Sequence, residues 1–187
     1  IWSARADAFV DADVVFRAAQ IADFVLLGET HTNGDHHRRQ AAIIAAMAAG
    51  GRRPGVVFEM IPEDFQHDLD AYLARDGADA AGLGAALNWT ERGWPDWKLY
   101  QPIAETILVH DLSVRAGDVG KAKQREIATE GMKALDTGMR KRLMAEAPLP
   151  AAAVEALTDE LFESHCGYVP REALTGMLTV QRLRDAV

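Results

Sequence analysis

Phe24-Val25-Leu26-Leu27-Gly28-Glu29-Thr30-His31-Thr32-Asn33-Gly34-Asp35-His36-His37-Arg38-Arg39 is the stretch on which the reading of this chain turns. Four apolar residues in a row, closed by Gly28 and a polar turn, read as a buried parallel strand. The carboxyl ends of strands in an α/β sheet open onto the ligand crevice, so Glu29, His31, His36 and His37 are expected there. Glu29 and His31 flank Thr30 in one tight turn, where a carboxylate and an imidazole can share a metal, a proton or a ligand. Asn33 or Asp35 is placed to cap the helix that follows. On that helix the row 36, 40, 43, 47 turns His36 toward the crevice, while His37 is rotated by about 100°. The plainer reading leaves both imidazoles solvated or hydrogen-bonded beside the cap.

Working outward, Asp11 to Gln20 has helical spacing, and Gly34 to Ala49 repeats apolar residues at three and four before Gly50-Gly51 stops it. Val56-Val57-Phe58-Glu59-Met60 is a second buried-strand pattern, and strand, helix, strand implies a right-handed crossover that brings Glu59 beside Glu29. Glu29, His31, His36 and Glu59 are therefore the candidate metal ligands. Two neighbouring carboxylates repel, so a cation is expected between them, with Arg115 as the candidate. Helices are expected over 63–75, 78–87 and 97–110, and a third strand over 112–116. From 119 onward the pattern is helical: 119–135, 138–146, 151–164 and 171–187. The fold class is α/β, a mostly parallel central sheet flanked by helices with a helix-rich C-terminal half, in one domain over 1–187.

The chain of 187 residues carries a net charge of -8, which argues against a nucleic-acid partner, since phosphate contact needs a concentrated basic surface. Its single Cys166 allows no intrachain disulfide. No apolar run is long enough to span a bilayer. The first residue is Ile1, so a lost signal peptide, lipoprotein leader or tag is expected, and a lipid anchor there is the one expected route to a membrane.

Two further groups stand out. Trp89, Trp94 and Trp97 crowd a Gly- and Pro-containing loop and either offer flat faces to a ring ligand or plug the end of the sheet. In Ser164-His165-Cys166-Gly167-Tyr168-Val169-Pro170 a helix stop accounts for Gly167 and Pro170, but not for His165, Cys166 and Tyr168 together, which include donors for iron. Leu174, Met177, Leu178 and Gln181 form a stripe that packs on its own domain or invites a second copy.

Leu26 to His31 with His36, His37 and Gln40, then Val57 to Met60, Gly93-Trp94-Pro95-Asp96-Trp97 with Tyr100 and Pro102, His165-Cys166-Gly167, and Gln181 to Asp185 together resemble the ChaN-like haem-binding uptake family of the Tiki superfamily. The resemblance runs through nearly the whole chain in order. It implies a haem or iron-porphyrin binding protein of bacterial iron uptake, often a periplasmic or outer-membrane lipoprotein, with a tyrosine iron ligand and a homodimer around cofacial haems. The residues that fit haem binding are Tyr168, His165, Tyr100, Trp94 and Arg171, with Tyr72 as a further tyrosine. Related branches are metal-dependent hydrolases with a Gly-Glu-x-His element matching Gly28, Glu29 and His31, so the alternative is a divalent-metal protease or esterase with Glu29 and His31 catalytic. Thr32 stands where the family usually has Asp. A later strand with a Gly-His element is also expected of the family, and its absence before Val187 suggests an incomplete domain.

Overall fold

The computed structural model describes residues 1–145, 149–164 and 166–185, with side chains described at all of these except 132, 142–145 and 185. A small antiparallel hairpin of β1 (Trp2–Ser3) and β2 (Ala8–Phe9) opens the chain. Then come α1 (Ala12–Ile21), α2 (Gly34–Ala49), β3 (Val56–Pro62), α3 (Gln66–Leu73), α4 (Ala80–Ala86) and α5 (Gln101–Val109). The chain continues through β4 (Val114–Asp118), α6 (Lys121–Glu130), α7 (Thr137–Ala145), α8 (Ala151–Ser164) and α9 (Arg171–Asp185). None of the described helices is long and apolar enough to cross a membrane.

The helical expectations correspond element by element to α1–α9, and β3 forms where 56–60 is predicted, extended to Pro62. The predicted third strand is displaced by two residues, to 114–118. The first strand is a correction. Residues 24–27 join no ladder, and among the described residues the only sheet besides the hairpin is the pair β3–β4, so a mostly parallel central sheet is not what these residues form. The crossover that was to carry Glu29 alongside Glu59 is therefore not built. Phe24 is 88% and Leu26 95% exposed, against the expectation of burial. Backbone polar groups must be satisfied somewhere, and here side chains substitute for a ladder. Arg52 donates to the carbonyls of Gln20 and Ala22, and Gln40 donates to that of Leu27.

The chain divides into two compact units, one of residues 1–58 and 65–115, the other of 59–64 and 116–187. In the first, α2 packs on α1 and α5, and α4 on α5. Ile44, Met47, Leu69, Leu83, Leu87, Ile103 and Ile107 are buried, each contributing about 1.5–3 kcal/mol by the usual scale for large apolar side chains. Gly84 is demanded by that packing: a Cβ on it would run into the Trp97 ring. In the second unit, Val119, Ile127, Leu135 and Leu183 form a core joined by Val180. Here α9 packs on both α6 and α8, and Gly176 lets two helices close up, since its Cβ would stand 2.7 Å from the backbone oxygen of Ala128. Leu174 and Leu178 of the α9 stripe are buried within its own unit, while Met177 and Gln181 are half-buried.

Candidate functional site

The first unit is built around one carboxylate. Glu29 follows an extended segment and its side chain is only 9% exposed. It accepts hydrogen bonds from the Tyr100 hydroxyl, from His31 Nδ1 at 2.8 Å and from Gln40 Nε2 at 3.0 Å. Gln40 takes Oε2, while His37 Nε2 stands 3.3 Å from Oε1, the oxygen that Tyr100 and His31 share, at an angle outside hydrogen-bond geometry. Burial pushes the Glu29 carboxyl upward, but the donors Tyr100, His31 and Gln40, with His37 nearby, outweigh it and hold the group below its ordinary value. Glu29 is thus an ionised, four-sided hub.

Each partner is delivered by an identifiable element. Asn33 caps α2 by accepting from the Asp35 N–H, which sets the phase of the helix. The buried row is then His37, Gln40, Ala41, Ile44 and Met47, and His37 is fully buried. This corrects the assignment of His36 to the inward face. His36 sits a residue off that row, and its Nδ1 accepts the Thr30 N–H at 2.9 Å, holding the 28–31 turn. Counting back from Gln40 by three rather than four selects His37, and Ala41 in the same row is the sequence signal for that choice. Tyr100, at the junction of the 97–99 turn and α5, is fully buried, with its ring 4.0 Å from that of His37.

The tryptophan loop mostly plugs this unit. Trp89 and Trp97 are buried, and their indole N–H groups donate to the carbonyls of Pro95 and Ala80 at 2.8 and 2.6 Å. Trp94 is half-buried and lies 5.0 Å from the His31 ring, edge to face. His31, with a side chain 44% exposed, is the outward-facing member of the Glu29 cluster. Its Nδ1 is committed to the carboxylate, so Nε2 is the nitrogen left for a proton or a ligand.

In the second unit Glu59 is paired with a cation, but with Arg184 at 2.8 Å rather than with Arg115. The same guanidinium meets Asp118 at 2.8 Å, and Asp118 also accepts from Gln124 and from the Val119 N–H. Arg184 lies 125 residues from Glu59, and no local pattern announces that pair. Among the described residues no three or more His, Cys, Asp or Glu side chains stand together as a metal site, so Glu29, His31 and His36 of the first unit make none between them. Tyr168 follows α8 in a turn where Gly167 has φ +72° and its N–H bonds the Phe162 carbonyl. Tyr168 is 89% exposed. Arg171 is engaged by Asp159 at 2.6 Å and lies over the Phe162 ring. His165 lies outside the described residues.

A family model described as haem-binding uptake, Tiki superfamily, ChaN, matches residues 15–187. The chain belongs to that family. Its fold is similar to that of the solved structure of ChaN of Campylobacter jejuni with cofacial haem, at a TM-score of 0.73 and 20% identity, covering 97% of this chain and 69% of the other. No curated protein matches the sequence.

Proposed function

We propose that this protein binds haem, or another iron porphyrin, as the cargo of bacterial iron or haem uptake, with the Tyr168 phenolate as the iron ligand. Membership of the haem-binding uptake family supports the cargo. The observation that carries the ligand is the fate of the three tyrosines. Tyr72 is buried with its hydroxyl donating to the Asp79 carbonyl at 3.0 Å, and Tyr100 is buried with its hydroxyl on Glu29. Tyr168 alone of the three presents its phenol to solvent. A phenolate is an established axial ligand to haem iron. It holds ferric iron and releases it on protonation or reduction, which suits a carrier.

Tyr100 is better understood as a structural donor to Glu29 than as an iron ligand. Trp94 and His31 belong to the first unit, and a role for them in haem contact is a secondary part of the proposal. A family match that runs through both units supports one ChaN-like domain over 1–187. The setting we propose is extracytoplasmic, periplasmic or at the outer membrane, with homodimerisation around the haem. Haemin titration followed at the Soret band tests the ligand. Tyr168→Phe is expected to weaken binding strongly and shift the band, with the circular dichroism unchanged. An unaltered titration would remove Tyr168 from the site.

A further inference from the structure

Between α6, α8 and α9, within the second unit, lies an open groove of about 630 Å³, with Ala128, Leu161, Met177 and Val180 as apolar wall and Lys121 and Arg125 on the rim. The volume falls in the range of sites that hold a drug-sized ligand. We infer that this groove seats the edge of the porphyrin and that Lys121 and Arg125 hold its two propionate carboxylates, an inference that rests on the haem-binding reading above.

Three features of the groove argue for a flat dianion with apolar faces. Lys121 and Arg125 stand four apart on α6, hence on one face and about 5–6 Å apart at Cβ. Both are exposed, and neither side chain has an ion-pair or hydrogen-bond partner among the described residues. Like charges at this spacing repel mildly until an anion joins them. In a chain of net charge -8, they set a positive rim directly beside an apolar wall. The other arginines nearby are already committed. Arg184, at one end of the groove, is neutralised by Glu59 and Asp118, and Arg171 by Asp159. Arg171, named from sequence among the residues that fit haem, is thus already engaged, and Lys121 and Arg125 are the cations at the groove without an ion-pair partner among the described residues. Leu161, on the apolar wall, lies in the last turn of α8, ahead of the turn that carries Tyr168.

The test compares haemin with haemin dimethyl ester, whose carboxylates are masked, on the wild type, on Lys121→Glu/Arg125→Glu and on Lys121→Ala/Arg125→Ala. Exposed positions of this kind tolerate truncation with little loss of stability, so the alanine pair remains folded if the reversed pair does not. Each exposed charge contact is worth up to about 1 kcal/mol, so losing both is expected to weaken haemin binding about tenfold, and reversal more. The Soret position should stay as in the wild type, because the iron ligand is untouched, and binding of the ester should be the same in all three proteins. Unchanged haemin affinity in both variants, or equal loss of haemin and ester, would overturn the groove assignment while leaving haem binding intact. A wild type that binds no haemin would remove the functional reading and this inference with it.

Discussion

At the scale of single residues the first unit is decided by what one buried carboxylate requires. Glu29 is held ionised because Tyr100, His31 and Gln40 all donate to it, and removing a donor leaves the desolvation of the carboxylate uncompensated. Tyr100→Phe keeps the ring that packs on Trp89, Trp97 and His37, and deletes only the hydroxyl. It is expected to destabilise the protein by about 1–3 kcal/mol in urea unfolding, with no change in haemin affinity. The same chemistry fixes the sign of a pH effect. The folded Glu29 group lies below its ordinary value of 4.5, so it contributes stability that is complete above that value and is lost as pH falls through the folded one. Glu29→Gln should therefore lower stability at neutral pH and flatten the acid limb of a stability–pH curve. An acid limb as steep as that of the wild type would contradict the role of Glu29. Of this cluster the sequence shows Glu29 and His31, because they share one turn. It misplaces the imidazole on α2 by one residue, because 36 and 37 both fall within reach of a row through Gln40, and the choice rests on the Asn33 cap and on Ala41. It offers Tyr100 as a haem residue and does not bring it to Glu29, which it meets across 71 residues.

At the scale of elements, every expected helix and two of the three expected strands form, and the reason the first strand does not is where its hydrogen bonds go. A helix closes its bonds within four residues, so local period and caps suffice to place α1 to α9. A strand needs a partner, and Phe24 to Leu27, although apolar, finds none among the described residues. Close helix crossings are equally invisible until the pairing is known. Gly176 in mid-α9 looks like a defect, since alanine there gains about 1 kcal/mol of helix propensity. The Cβ would, however, stand 2.7 Å from the Ala128 oxygen, a backbone atom that cannot swing aside. Forcing atoms into a packed interface costs about 1–3 kcal/mol, which exceeds the propensity gain. Gly176→Ala is expected to lower the urea midpoint, and a raised midpoint would show that α6 and α9 separate without cost.

At the scale of the whole molecule the question is what makes two copies meet. Of the α9 stripe offered from sequence as a dimer face, Leu174 and Leu178 are buried in its own unit, while Met177 and Gln181 line the groove. That takes the two leucines out of any pairing face and leaves the groove side of the stripe open. A porphyrin changes the balance, because a flat ring seated in an open groove has two apolar faces and the groove wall covers only one. The uncovered face is an exposed apolar patch of the kind that associates, and a two-fold pair stacking ring on ring buries it in both copies at once. Association should then be strictly linked to the ligand. Light scattering at tens of micromolar protein is expected to give a monomer mass without haemin and twice that mass with one haemin per chain. The Lys121→Ala/Arg125→Ala variant should require correspondingly more haemin to reach the doubled mass. A dimer already present without haemin would mean that a protein surface rather than the ring drives pairing. A monomer that persists at saturating haemin would mean that the second face of the ring is covered within one chain.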